Sequence, residues 1–332
     1  MLFLPATIRY HRYMKLSPET KKYKIIAAIL MTIVTVLFGF TIYQLVKPTP
    51  VSVPNTQTKQ PIRQQPVPHN VPQKETTLFP GNRMVAIYGT PGVPALGVLG
   101  EQSMEASIAR AKDLVTNYQG FSKEKILPTM EIITTVAAGT PTENGDYSQE
   151  VDMQTLKPWV EAAQAAGVYI VLDLQPGRTD FLTQAKQYED LLRYPNVGLA
   201  LDPEWRLAPN QVPLVQIGSV SIQEVNATAN WLAEITRQQK LPQKLLLLHQ
   251  FRLSMIADRE QLDTTHKELA YVIQMDGQGA QNVKQDTWRT ITANAPANVR
   301  FGWKNFYHQD SPVLSPEETM ALDPKPWYVS YQ

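Results

Sequence analysis

Residues 197–205 have the sequence Val-Gly-Leu-Ala-Leu-Asp-Pro-Glu-Trp, in which five uncharged residues are followed by two carboxylates. An apolar run of this length, bounded by turn residues, predicts a β-strand buried on both faces. Pro203 has no N–H to donate to a sheet, so the strand should end there. Asp202 and Glu204 therefore lie where a buried strand surfaces. Residues two apart on a strand point to the same side, so both carboxyls are expected in one pocket.

Apolar runs of the same kind recur from Met84 to the C-terminus, separated by amphipathic stretches. The predicted strands are 84–88, 131–137, 169–173, 197–202, 244–249, 270–275, 299–303 and 327–331. The predicted helices are 103–118, 153–166, 180–191, 222–239, 259–266, 282–293 and 316–322, with Gly167 capping the second. Eight strands alternating with helices predict an α/β fold, a (β/α)8 TIM barrel over residues 81–332.

An open doubly wound sheet is the alternative to a barrel. Such sheets often carry Gly-x-Gly-x-x-Gly after the first strand, where it binds a dinucleotide. The corresponding residues here, Gly89-Thr-Pro-Gly92, do not match that phosphate loop. The sequence therefore favours the closed barrel.

The first 80 residues differ from the rest of the chain. Residues 1–24 are basic, and residues 25–46 begin with 19 uncharged, mostly apolar residues, about the length of a membrane-spanning helix. The positive-inside rule predicts a cytoplasmic tail at 1–24, a single-pass signal anchor in the cell membrane at 25–46 and an extracytoplasmic C-terminal domain. Residues 47–80 contain eight prolines and predict an extended Pro-rich linker. A cleaved signal peptide is the alternative to the anchor.

Charge and cysteine content exclude several classes of function. Residues 1–75 contain ten Lys/Arg and two Glu, a net charge of +8, so residues 76–332 carry −7 of the chain's total of +1. An acidic domain does not suit nucleic acid, which requires a basic surface, and we predict no nucleic-acid partner. The chain has no cysteine, which excludes thiol catalysis, disulfides and cysteine-ligated zinc.

Polar residues at the strand ends predict an acid/base site, because barrel enzymes carry their catalytic groups there. Cleavage of a glycosidic bond requires one protonated and one ionised carboxyl. We expect Glu204 to be the proton donor, Asp202 to raise the pKa of Glu204 or to orient the substrate, and Asp173 or Asp276 to be the second carboxyl. The structural alternatives are that Asp202 caps loop N–H groups and that Glu204 forms a salt bridge with Arg206 or Arg252.

Aromatic and polar residues near the same strand ends predict a glycan-binding mouth, because flat aromatic faces stack on sugar rings. The candidate substrate-binding residues are Tyr88, Gln175, Trp205, His249, Gln250, Gln274, Trp303, Lys304 and Tyr331. The alternative for each aromatic residue is packing beneath loops. The helical tryptophans Trp159, Trp231 and Trp288 are expected in the core.

A metal site is the weaker interpretation of the same residues. His249 with Asp173, Asp202 and Asp276 would supply ligands for a metal-dependent hydrolase. The sequence has neither His-x-His nor His-Glu-x-x-His, and it contains five histidines in all. We therefore predict no metal and no cofactor.

The ending Asp202-Pro-Glu204 resembles the Asp-x-Glu at the end of strand four in chitinase-type and lysozyme-type glycoside hydrolase barrels. That resemblance implies Glu204 as the acid and Asp202 as its neighbour. Residues 84–332 are also similar to an uncharacterised group of secreted or membrane-tethered bacterial proteins, through Tyr88-Gly89, Leu201-Asp-Pro-Glu-Trp205, Val225-Asn226 with Trp231-Leu232, and Leu248-His-Gln-Phe251.

Together these features predict a membrane-anchored, extracytoplasmic glycoside-hydrolase-like protein that acts on cell-envelope or environmental polysaccharide. A glycan-binding barrel without turnover and a metal-dependent hydrolase remain as alternatives. The predicted partners are a glycan ligand and, through residues 25–46, the membrane.

Overall fold

Eight parallel strands form the centre of the structure, a computed structural model that describes residues 77–332. In chain order the strands are β1 (Asn82–Gly89), β2 (Lys125–Ala137), β3 (Tyr169–Leu174), β4 (Val197–Leu201), β5 (Lys244–His249), β6 (Leu269–Met275), β7 (Arg300–Asn305) and β8 (Tyr328–Tyr331). Each strand pairs with the next in the chain. Three shorter strands, Ser148–Glu150, Val220–Ser221 and Ile256–Ala257, lie outside this ring.

Strand β1 closes the ring by pairing in parallel with both β2 and β8. Asn82 lies opposite Lys125 on one side, and Met84 lies opposite Tyr328 on the other. The predicted TIM barrel is confirmed, and the open-sheet alternative is wrong because β8 returns to β1. All eight strands were predicted near their observed positions, except that β2 begins six residues earlier than residue 131.

Helices cover the outside of the barrel. They are α1 (Met104–Thr116), α2 (Met153–Ala166), α3 (Phe181–Gln187), α4 (Glu189–Leu192), α5 (Ile222–Gln238), α6 (Gln281–Thr292) and α7 (Pro316–Met320). Gly167 ends α2 with a φ of 71°, which confirms the predicted glycine cap. Asp152 caps the start of the same helix by accepting a hydrogen bond from the N–H of Gln154.

The predicted helix at residues 259–266 is wrong, because only a short 3-10 helix, Arg259–Gln261, forms there. The buried Arg259 guanidinium donates hydrogen bonds to the carbonyls of Ile291 and Ala293, which tie it to the end of α6. Further along, Asp263 accepts a hydrogen bond from the N–H of Thr265. Such side-chain bonds to the backbone favour turns over a helix.

The barrel interior is apolar at one end and polar at the other. Met84, Ala86, Val171, Leu247 and Val272 belong to a buried apolar cluster that Leu78 and Phe79 join. Because side chains alternate along a strand, residues two and four further on point into the same interior. At the carboxyl ends of the strands these residues are polar, among them Tyr88, Asp173, His249, Gln274 and Lys304. The strand pattern therefore gathers the polar groups at one mouth.

The predicted tail at 1–24, the anchor at 25–46 and most of the linker at 47–80 lie outside the described residues. Between residues 77 and 332, no helix has the length and apolar character needed to cross a bilayer.

Candidate active site

A cavity of about 630 Å³ opens at the carboxyl ends of the barrel strands. Its apolar walls include the loop residues Leu214, Phe251 and Phe306. Seven residues predicted for the site line it: Tyr88, Gln175, Asp202, Glu204, Trp205, Asp276 and Lys304. Three of the four predicted catalytic carboxyls, Asp202, Glu204 and Asp276, therefore line one open space.

Asp202 and Glu204 lie in a tight turn directly after β4. Pro203–Trp205 forms a 3-10 helix, and Asp202 Oδ1 accepts a 3.3 Å hydrogen bond from the N–H of Glu204. Asp202 thus caps a loop N–H, which is the non-catalytic role considered for it from the sequence. It also lines the cavity. Gly218 stabilises this turn, because its N–H donates a hydrogen bond to the Glu204 carbonyl at 2.6 Å. A Cβ at position 218 would lie 2.5 Å from that oxygen, so only glycine fits.

The environment of Glu204 favours its protonated form. Burial raises the pKa of Glu204 to about 7, the negative charge of Asp276 acts in the same direction, and Lys304 opposes both. The alternative salt bridge to Arg206 does not form, because Arg206 pairs with Glu224 at 2.9 Å. Burial also raises the pKa of Asp202 well above its usual range. Both carboxyls therefore hold their protons more firmly than exposed acids do.

A chain of buried hydrogen bonds runs from the middle of the barrel to the cavity. Tyr328 donates its hydroxyl to Glu131 Oε2 at 2.8 Å, and Glu131 Oε1 accepts from His249 Nε2 at 2.8 Å. His249 Nδ1 lies 2.8 Å from Asp276 Oδ2. The other oxygen of Asp276, Oδ1, is buried and has no hydrogen-bond partner among residues 77–332. The chain therefore ends at Asp276, a residue that lines the cavity.

His249 is held as an imidazolium by this arrangement. A neutral imidazole has one N–H, but both ring nitrogens of His249 face carboxylate oxygens at 2.8 Å. Burial alone would lower the pKa of His249, but the attraction of nearby carboxylates, Asp173 foremost, outweighs burial and raises that pKa. His249 does not line the cavity, so it acts on Asp276 rather than on a substrate.

Two groups of side chains have the spacing of metal ligands: Glu131, Asp173 and His249, and Asp202, His249 and Asp276. In each group the potential ligand atoms lie within 4.8 Å of one another. Both groups include His249, whose two ring nitrogens lie at hydrogen-bond distance, 2.8 Å, from carboxylate oxygens of Asp276 and Glu131. The observed geometry is that of a buried charge network. The absence of a metal from the site stays a prediction.

Asp173 lies behind Tyr88 and does not line the cavity. Tyr88 donates its hydroxyl to Asp173 Oδ2 at 2.9 Å, and the carboxyl is fully buried. Burial raises the pKa of Asp173 to about 6. Of the two candidates for the second catalytic carboxyl, Asp276 alone reaches the cavity surface, and Asp173 supports Tyr88 from below.

The predicted glutamines have different surroundings. Gln175 lines the cavity while its Oε1 accepts a hydrogen bond from the N–H of Ala137. Gln274 is buried inside the barrel and donates to Ser330 Oγ at 2.6 Å. Gln250 accepts from Arg259 at 2.8 Å and thereby braces the loop after β5. Gln250 and Gln274 are therefore not in contact with the cavity.

Two predicted aromatic contacts, Trp303 and Tyr331, are corrected by the structure. Trp303 is fully buried and packs edge-on against Trp288 of α6, with ring centroids 5.6 Å apart. The hydroxyl of Tyr331 lies 2.5 Å from that of Tyr118 in a buried cluster with Val115 of α1. Both point outward because their strand neighbours, Lys304 and Ser330, point into the barrel. Trp205 remains as the predicted tryptophan that lines the mouth.

Glu131 is the site residue that the sequence did not indicate. The apolar pattern predicts Glu131 as the first residue of β2, whereas the strand begins at Lys125 and places Glu131 in its centre, facing the barrel axis. A lone carboxylate between Met130 and Ile132 in an apolar run was the available signal, because buried charges persist only with partners. The loop residues Phe251, Arg252 and Phe306 also line the cavity and had no sequence signal.

Comparisons with known proteins add no family to this picture. No protein-family model matches the chain. A search of curated proteins finds no match either. The site must therefore be interpreted from its own geometry and chemistry.

Proposed function

We propose that this protein is a glycoside hydrolase that acts on cell-envelope or environmental polysaccharide through carboxylate acid/base catalysis. The observation that carries the proposal is that Glu204 and Asp276 line one cavity and differ in their affinity for a proton. Glu204 has a pKa raised to about 7, whereas Asp276 accepts a hydrogen bond from the imidazolium of His249. Glycosidic cleavage requires such a pair, one carboxyl as acid and one carboxylate.

In this proposal Glu204 donates its proton to the glycosidic oxygen as the bond to the leaving sugar breaks. Asp276, which lines the same cavity, acts as the carboxylate, either on the sugar carbon or through a water that attacks it. His249 fixes Asp276 through Oδ2, and Glu131 holds His249 from the opposite side. Trp205 and Tyr88 provide aromatic surfaces for the sugar rings.

The first test is release of reducing ends from peptidoglycan and a panel of polysaccharides by the full-length protein. Because the acid must be protonated, activity is expected to fall as the pH rises through about 7, by about tenfold per pH unit above it. A rate that rises through this range would remove Glu204 as the acid. Binding without release of reducing ends would favour the glycan-binding barrel instead.

We also propose that residues 25–46 anchor the protein in the cell membrane with the barrel on the outer side. The support is the uncharged stretch at 25–43 with six cations just before it. The full chain is expected in the membrane fraction, with the barrel open to protease added to spheroplasts. Recovery of the uncleaved chain in the soluble fraction would contradict the anchor.

A further inference from the structure

Three lysines of the barrel are almost completely buried, and two of them have oxygen partners. Lys244 donates to the carbonyls of Tyr194 and Val197 at 2.8 and 2.7 Å. Lys284 donates to Asp310 Oδ2 at 2.5 Å and to the carbonyl of Lys304 at 2.8 Å. This is the usual state of a buried ammonium, which has three N–H donors to satisfy.

Lys304 is the exception among these lysines. It is 3% exposed and lines the cavity, with its Nζ 3.3 Å from the ring centroid of Tyr88 and 5.2 Å from that of Phe306. Over residues 77–332, no carboxylate lies within 4.0 Å of this nitrogen and no acceptor bonds it. An aromatic face satisfies part of its charge and leaves N–H donors directed at the open space.

Arg252 adds a second cation at the rim of the same cavity. It is exposed, its guanidinium lies 5.8 Å from the ring of Phe251, and within the described part of the chain it forms no ion pair. The cavity carboxyls Asp202, Glu204 and Asp276 form no ion pair with either cation among residues 77–332. Lys304 and Arg252 therefore give the cavity a positive side on which neither cation has a direct carboxylate partner.

We propose that the cavity binds a saccharide that carries a carboxylate, such as a uronic acid or a lactyl-substituted amino sugar. The carboxylate bonds to Lys304 in the depth of the cavity and faces Arg252 at the rim. This inference rests on the proposed glycosidase function and names its substrate class. A singly charged group fits better than a phosphate, because the carboxylate of Asp276 lines the same space and repels a dianion more strongly than a monoanion.

The test measures binding rather than turnover, so that it is separate from the proposed activity. Isothermal calorimetry on the full-length Glu204→Gln variant would use uronate-containing oligosaccharides, muramic-acid-containing peptidoglycan fragments, and the same compounds with the carboxyl reduced to an alcohol. At least one charged compound is expected to bind about tenfold or more tightly than its reduced form. Lys304→Met in the same background is expected to remove that preference, and Lys304→Arg to retain part of it.

Lys267→Met, a change of an exposed lysine, serves as the matched control and should leave the preference unchanged. Equal binding of charged and reduced forms would overturn the inference and leave the hydrolase proposal untouched. If Lys304→Met weakened the binding of the charged and the reduced saccharides equally, Lys304 would act only on the neighbouring carboxyls, and the inference would be overturned. No binding by any of the charged compounds would also overturn the inference.

Discussion

Replacing Glu204 by glutamine is expected to lower the rate of reducing-end release by about 10²–10⁴-fold, the usual contribution of a general acid. Glutamine has nearly the same shape but no proton to donate to a leaving oxygen. The variant should still fold, because Glu204 is held by the backbone of its turn and Gly218 packs behind it. The measurement compares initial rates of the two full-length proteins on the same polysaccharide at pH 6.

Stability provides the internal control for this variant. A folded-state pKa raised to about 7 means that the stability Glu204 contributes in acid is lost as the pH rises through 7. Glu204→Gln should therefore be at least as stable as wild type at pH 8, with its activity still lost. Glu317→Gln, a change of an exposed glutamate on α7, should alter neither property. Wild-type rates in Glu204→Gln would exclude Glu204 from the mechanism.

Truncation of Glu131 to alanine is expected to destabilise the fold by about 3–5 kcal/mol, because it leaves a buried charge without its partner. His249 Nε2 and the Tyr328 hydroxyl both lose their acceptor. Asp173 cannot replace it, since its nearest oxygen is 3.8 Å from His249 Nε2. Urea unfolding of the full-length protein, followed by tryptophan fluorescence, measures the change in the free energy of unfolding.

Glu131→Gln separates charge from hydrogen bonding at this position. The amide keeps one acceptor for His249, so the decrease in the free energy of unfolding should be smaller, about 1–3 kcal/mol. Glu150→Ala, an exposed change on the short strand Ser148–Glu150, should keep the free energy of unfolding within about 0.5 kcal/mol of wild type. If Glu131→Ala were as stable as the control, the buried chain would not hold His249 in the way described.

The barrel was predictable because its strands are uninterrupted apolar runs. Residues 244–249 were predicted to the residue, since the run of leucines there ends at His249 before a turn. The helix predicted at 259–266 is wrong because a helix-like spacing of apolar residues does not show that Arg259 is buried against the end of α6. Long-range bonds of this kind override local propensity and leave no local signal.

The site was predicted only in part, for a similar reason. The location of Asp202, Glu204 and Asp276 at one cavity was predictable, because each lies within three residues of the end of a strand, where barrel sites lie. Trp303 and Tyr331 were misplaced because a shift of one residue along a strand turns a side chain from the mouth to the helix layer. Glu131 was missed because its role depends on His249, a residue 118 positions away along the chain.

The proposed catalysis depends most on the protonation of Glu204, and an infrared pH titration measures that protonation most directly. The difference between the carboxyl absorption of wild type and that of Glu204→Gln isolates this one group. An apparent pKa near 7 is the predicted result. A value near 4.5, that of an ordinary glutamate, would contradict the assignment of Glu204 as the acid of this site.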